Sequence, residues 1–288
     1  MQPRRTISLL AAVLLATLLP SSVAKGDDDV EEQLKADYVG KTLTLRHFYQ
    51  GEHLSFQSDG SLVGSAGAGP WTVDGQIEVK HIKQHGRALQ IEGRRVYLVF
   101  DSKRKPPYRD VLDSLAESNV KDRDKLEKVF RDKRVAIEIA LNSDQPDSKE
   151  VTAAMNSVFL GPNESVSDVV PEYWREYFDK VEGRKASDSD KPGVFKVGKG
   201  VAPPRVLNQH EPEFSEEARQ AKYQGVITLS LVVDESGNVG DLQIVRPLGL
   251  GLDEKAVNAV SDWKFQPATK DGQPVPVQIA VEVDFHLY

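Results

Sequence analysis

The chain has 288 residues, of which 39% are hydrophobic and 28% are charged, and its formal net charge is −7. The hydrophobic share is enough for a folded core and excludes general disorder, while the acidic balance disfavours a general nucleic-acid binder. The sequence contains no cysteine, which excludes disulfides, thiolate metal sites and cysteine nucleophiles. A chain of this length favours two domains over one.

The N-terminus has the layout of a secretory signal peptide. Two arginines precede a short apolar run over residues 7–19, and small residues at 22–24 are suited to cleavage. The run is shorter than the roughly 20 apolar residues of a membrane-spanning helix. We therefore expect a signal peptide over residues 1–24 and a periplasmic mature protein that begins at Lys25. An uncleaved signal that anchors the chain in the inner membrane is the alternative.

Residues 27–182 are predicted to form an antiparallel, β-rich domain with added helices, of unknown role. Between residues 38 and 101, short alternating runs are separated by turn dipeptides such as Asp74-Gly75, which is typical of an antiparallel meander or a small barrel. Helical patterns follow over residues 110–133 and 151–159. A further helix from Pro171 carries an aromatic stripe that favours core packing.

The remaining chain divides into a predicted linker, residues 183–204, and a second domain, residues 205–288. The linker is polar and lacks periodicity. The second domain begins with a predicted helix over residues 215–223, for which Ser215 is the expected N-cap. A β-hairpin over 226–246 and a helix that begins near Leu252 follow.

The chain ends in a strongly alternating segment, residues 277–287, which predicts a strand with one buried face. The residues expected on the buried face are Val277, Ile279, Val281, Val283, Phe285 and Leu287. The other face carries Gln278, Ala280, Glu282, Asp284 and His286. Two prolines, Pro274 and Pro276, prevent complete backbone pairing only at the start of this strand.

Several short motifs of the second domain share the order and spacing of one family. They are Glu211-Pro212-Glu213-Phe214, Ala218-Arg219, Gly225, Asp234, Gly237-Asn238-Val239, Leu252-Asp253, Ala256, Ala259-Val260, Trp263-Lys264-Phe265-Gln266-Pro267, Gly272 and Pro274-Val275. By these residues the segment from about 201 to 288 resembles the TonB C-terminal domain family. No family is recognised in the N-terminal region.

The resemblance implies an α+β fold, with a three-stranded antiparallel sheet and helices packed against it. It also implies a non-enzymatic, TonB-like protein that binds an extended segment of an outer-membrane transporter, or of another envelope protein, by adding it as a strand. An unpaired sheet edge offers the backbone donors and acceptors for such binding. The residues expected to bind the peptide are Glu211, Pro212, Glu213, Phe214, Gln278, Ala280, Glu282 and Asp284. A homodimer through the same edge is a second possibility.

The sequence departs from a full energy transducer of this family in three respects. No membrane anchor and no long proline-rich spacer are expected, and the family's Q-P-x-Y-P stretch reads Glu211-Pro212-Glu213-Phe214-Ser215. We expect no cofactor, no metal site and no nucleotide or nucleic-acid partner, because phosphate-loop and histidine–carboxylate patterns are missing.

Two further functions remain open. A barrel-like N-terminal region could carry an apolar ligand, with the C-terminal domain as a docking module. A hydrolase built on that region lacks any nucleophile–base signature and is the weakest of the three hypotheses.

Overall fold

The computed structural model describes residues 27–118, 121–184 and 191–287. The predicted signal peptide and residues 185–190 of the predicted linker lie outside these ranges. Within the described ranges, no helix combines the length and apolar character needed to cross a membrane. The domain boundaries drawn from the sequence stay a prediction.

The N-terminal region mixes short helices with strands. Its strands are β1 (Thr42–Thr44), β2 (His53–Phe56), β3 (Gln76–His85), β4 (Ala88–Arg95), β5 (Leu98–Phe100), β6 (Tyr108–Asp110) and β7 (Arg134–Ala140). Its helices are α1 (Asp27–Tyr38), α2 (Trp71–Asp74), α3 (Val111–Ala116), α4 (Arg123–Arg131), α5 (Ser148–Val158) and α6 (Glu172–Val181), with a short 3-10 helix at Val166–Asp168. The single helical pattern over residues 110–133 is thus divided into α3 and α4.

Five of these strands form one sheet in the order β1-β3-β4-β7-β2. Three of its strand pairs are antiparallel, as the alternating runs predict, whereas β2 lies parallel to β7. The long crossover between β2 and β7 permits this parallel pairing, which a short turn could not make. In the described part of the chain the sheet stays open, with β1 and β2 at its edges, so the small barrel is not formed.

The aromatic stripe of α6 lies in the core, as predicted. Trp174 and Phe178 are buried, and the ring centroids of Phe178 and Trp71 lie 4.9 Å apart in an edge-to-face arrangement. Phe100 stacks on Trp174 with a centroid distance of 5.4 Å. These rings fill the space between α6 and the N-terminal strands. They therefore serve core packing rather than ligand binding.

The C-terminal region contains the second α+β unit. Its strands are β8 (Phe195–Lys196), β9 (Val201–Ala202), β10 (Arg205–Asn208), β11 (Gly225–Val233), β12 (Val239–Arg246), β13 (Lys264–Gln266), β14 (Ala268–Lys270), β15 (Gln273–Val275) and β16 (Val277–Phe285). Its helices are α7 (Glu216–Ala221) and α8 (Leu252–Ser261). The main sheet has the order β12-β11-β16-β8, and its three long strands are antiparallel, as the resemblance implies.

Local sequence signals explain how these elements begin and turn. Ser215 caps α7, since its Oγ accepts a hydrogen bond from the Ala218 amide at 3.2 Å. Helix α7 ends at Ala221, the following Lys222 adopts a left-handed conformation, and Gly225 begins β11. In the β11–β12 turn, an Asp234 carboxylate oxygen accepts from the amides of Ser236 and Asn238, both at 2.8 Å. Such a turn fixes the hairpin register.

The two regions share one continuous hydrophobic core. The Leu250 amide donates to the Leu98 carbonyl at 2.9 Å, and the Gly251 amide donates to Thr72 Oγ1 at 2.8 Å. Gly249 forms an isolated bridge with Val99, and a Cβ atom on Gly249 would lie 2.1 Å from the Leu98 carbonyl oxygen. We call residues 98–99 and 249–251 the seam. Its close backbone contact depends on a glycine at position 249.

Candidate peptide-binding edge

Strand β16 is paired fully on one side and hardly at all on the other. It pairs with β11 along its whole length, from Val277 opposite Val233 to Phe285 opposite Gly225. On its other side, β8 pairs only with Val277 and Gln278. In the described part of the chain, residues 279–285 therefore form a free edge.

One hydrogen bond shows which backbone groups point to this free edge. The Phe195 amide of β8 donates to the Pro276 carbonyl at 2.9 Å, so the carbonyl of Pro276 faces outward. Backbone groups alternate in direction along a strand, and the β11–β16 register has no irregularity. Consequently the amide and carbonyl groups of Ala280, Glu282 and Asp284 point away from β11 and toward the open side.

The linker leaves this edge because its backbone turns sharply. Gly198, Lys199 and Gly200 have φ angles of 101°, 51° and 88°, all in the left-handed region that glycine adopts readily. The amides of Gly198 and Val201 exchange hydrogen bonds with each other's carbonyls at 3.1 Å. Beyond this turn, β9 pairs with β14 instead. Strands β8 and β9 thus attach this part of the predicted linker to the C-terminal sheets, although its sequence lacks periodicity.

The buried face of β16 is less covered than its alternation predicts. Val277, Val283 and Phe285 are buried, whereas Ile279, Val281 and Leu287 are only half-buried. The helices over the main sheet make their main contacts with other strands: α8 packs on β12 and β11, and α6 packs on β12. Apolar surface therefore remains accessible in the middle of the free edge, beside the unpaired backbone.

The opposite face of β16 is exposed and acidic. Ala280, Glu282 and Asp284 are exposed, as the sequence predicts. Gln278 is half-buried instead, and its Nε2 donates to Ser230 Oγ on β11 at 3.0 Å. Glu282 faces Arg246 of β12 at 3.3 Å. This ion pair could not be predicted from the sequence, because Arg246 and Glu282 meet only through the register with β11.

The structure brings only part of the predicted 211–214 segment to the strand. The Phe214 ring packs edge-to-face on Phe285, with centroids 5.4 Å apart, at the C-terminal end of β16. Glu213 instead turns to α8, where its carboxylate lies 3.0 Å from Lys255 Nζ. Glu211 is exposed and Pro212 is half-buried, and neither has a hydrogen bond or ion pair to β16. Phe195, which pairs at the start of the edge, was not among the predicted site residues. Its apolar side chain within a polar linker is the signal that marks it in the sequence.

A cleft of about 810 Å³ lies between the two regions. Asp74, Tyr97, Glu217 and Glu254 are among the residues that line it. Burial raises the pKa of Asp74 to about 6, against the lowering effect of Arg95. Among the residues with described positions, no group of histidines and carboxylates is arranged to hold a metal ion.

Comparison with known proteins identifies a family for the C-terminal segment. Residues 210–287 match the family described as Gram-negative bacterial TonB protein C-terminal. Protein TonB of Vibrio cholerae is 31% identical over 86 residues, which are 30% of this chain and 35% of that protein. Protein tonB2 of Pseudomonas aeruginosa is 30% identical over 82 residues, which are 28% of this chain and 30% of that protein. The chain thus spans about a third of the length of these relatives.

A solved structure shows a weaker likeness. The solution NMR structure of the Pseudomonas aeruginosa TonB CTD is 17% identical, with a TM-score of 0.26, and the alignment covers 32% of this chain and 90% of that one. The family match in sequence confirms the resemblance to the TonB C-terminal domain family over residues 210–287. The N-terminal region lies outside these matches.

Proposed function

We propose that this chain is a TonB-like binding protein of the cell envelope, which takes up an extended segment of another envelope protein as a new strand along β16. The observation that carries the proposal is the free edge at residues 279–285, where alternate amides and carbonyls point away from β11. Backbone hydrogen bonds supply affinity in this mode of binding, and side chains on both faces supply specificity.

The family match supports a role in envelope transport, with an outer-membrane transporter as the expected type of partner. The activity is binding, so the proposal assigns no catalytic residue and no cofactor. A periplasmic location belongs to the same proposal and is supported by the signal-like sequence over residues 1–24.

Amide hydrogen exchange tests the proposal directly. The full mature chain is measured alone and with a detergent-solubilised outer-membrane protein fraction. We expect new protection at Ala280, Glu282 and Asp284, because their amides point outward and would donate to the added strand. Protection at other positions, with none at residues 277–287, would contradict strand addition at this edge.

Mass spectrometry of the exchanged samples also separates a partner from self-association. If protection at the edge appears in the chain alone and grows with its concentration, the occupant is a second copy of this chain. If it requires the outer-membrane fraction, the occupant is a partner from that fraction.

A further inference from the structure

We propose, on the basis of the function proposed above, that the edge of β16 selects a segment in which basic and apolar side chains alternate. Adjacent strands place their side chains on the same two faces of a sheet, whichever direction the new strand runs. The chemistry of the two faces of β16 therefore determines the two faces of its partner.

The first face is apolar and incompletely covered. Ile279 and Val281 are half-buried although their strand neighbours Val277 and Val283 are buried. An apolar partner side chain beside Ile279 and Val281 would bury the apolar surface that α8 leaves accessible. Every second residue of the partner is accordingly apolar.

The second face is acidic and only weakly neutralised. Glu282 and Asp284 are exposed, and the segment 277–285 contains no lysine or arginine. The Glu282–Arg246 pair is largely solvent-exposed, with 68% and 59% of the side chains accessible, so it holds its partners weakly. No ion pair within the described part of the chain includes Asp284.

The charge of this face favours a basic neighbour. A lysine or arginine directly opposite either carboxylate would gain attraction, whereas an acidic side chain would meet two like charges. Strand β8 shows that the edge accepts a neighbour, since it pairs parallel to Val277 and Gln278. A partner that continues past the end of β8 meets Ile279, Val281, Glu282 and Asp284.

Matched synthetic peptides test the inference on the full mature chain. One peptide alternates lysine and valine, a second alternates glutamate and valine, and a third has the composition of the first with its lysines and valines in separate blocks. We expect the lysine–valine peptide to bind about tenfold more tightly than the glutamate–valine peptide, with protection of residues 279–285. The block peptide should not protect this edge.

Charge reversal supplies the matched control. A chain that carries both Glu282→Lys and Asp284→Lys should prefer the glutamate–valine peptide. Equal binding of both alternating peptides to the edge in both chains would overturn the charge inference and leave strand addition standing. If neither alternating peptide protects residues 279–285 in either chain, the proposed function is contradicted as well.

Discussion

The indole Nε1 of Trp174 donates a hydrogen bond to Glu254 Oε1 at 3.1 Å and so joins α6 of the N-terminal region to α8 of the C-terminal region. The second oxygen of Glu254, Oε2, is buried and has no hydrogen-bond partner. Burial raises the pKa of the Glu254 carboxyl against the lowering effect of the indole, and the charge of Asp74 raises it further.

The neighbouring carboxyl of Asp253 is held differently. It is fully buried, and its two oxygens accept from the amides of Leu248 and Gly249 at 2.8 and 2.7 Å. Burial and Glu254 raise its pKa, while the two amides lower it. Because amide donors favour a charged carboxylate and Glu254 Oε2 has no donor, we expect Glu254 to keep its proton to a higher pH than Asp253.

The Glu254→Gln variant should therefore stabilise the protein at high pH. A folded-state pKa above the unfolded value means that the folded state binds more protons, so stability is lost as the pH rises through the folded pKa. Glutamine is neutral at every pH, so the variant does not lose stability through ionisation of this side chain. We expect little difference at pH 4 and a gain of about 1–3 kcal/mol at pH 8, measured by urea unfolding.

An exposed carboxyl serves as the control for this pH series. Glu235 lies exposed in the turn after β11, and Glu235→Gln should shift the unfolding midpoint equally little at both pH values. A Glu254→Gln chain whose stability falls with pH as steeply as the original would show that another group holds the proton.

Substitution of Gly249 should weaken the seam between the two regions. Alanine at this position would place Cβ 2.1 Å from the Leu98 carbonyl oxygen and would require a φ of 102°. We expect a loss of about 2–5 kcal/mol. The matched variant is Gly240→Ala, where the nearest atom would be 4.0 Å away. Thermal unfolding of both variants checks the prediction, which an equal loss of stability would contradict.

The seam is also the part of the fold that the sequence could not reveal. Hydrophobic alternation and capping residues identified the C-terminal helices and long strands to within a few residues, because these signals are local. Val99 and Gly249 are far apart in sequence, and their contact follows from tertiary packing alone. For the same reason, neither the parallel pairing of β2 with β7 nor the open edge of that sheet could be predicted.

In the candidate site too, local sequence predicts some features, and tertiary packing determines the others. Alternation correctly gave the exposed positions of Ala280, Glu282 and Asp284, since side-chain direction in a strand has a period of two. It could not show that Ile279 and Val281 are half-buried, because this depends on where α8 lies.

Limited proteolysis should cut between residues 184 and 194. Further along the linker, β8 and β9 are paired with β16 and β14, which protects their backbone. We expect the two fragments to elute together in size-exclusion chromatography, because the seam and the Trp174–Glu254 bond hold them. First cleavage within residues 226–285, or separation of the fragments without denaturant, would contradict this prediction.

Trp263→Ala should unfold the C-terminal region rather than remove a binding contact. Trp263 is 4% exposed, and its Nε1 donates to the His210 carbonyl at 3.0 Å. Loss of a buried tryptophan costs about 3–5 kcal/mol. Trp263→Phe keeps an aromatic ring and loses the hydrogen bond and only part of the buried volume, so it should cost less than Trp263→Ala. A Trp263→Ala chain that melts like the original but no longer binds would place this residue in the interface.

Two neighbouring proline variants should separate folding from binding at the free edge. The Glu282 amide points outward, so Glu282→Pro removes a donor that only an added strand would use. The Val281 amide points toward β11, and Val281→Pro breaks the sheet at a cost of about 3 kcal/mol or more. Thermal unfolding should therefore change strongly for Val281→Pro and much less for Glu282→Pro.

Binding should be lost in the Glu282→Pro variant although its stability changes little. We expect Glu282→Pro to abolish the protection of residues 279–285 by the outer-membrane fraction while the chain stays folded. Glu282→Gln retains the amide and loses only the charge, so it should still be protected. If Glu282→Pro and Glu282→Gln bind equally well, the backbone of this edge does not carry the interaction, because the two variants differ at the amide that strand addition requires.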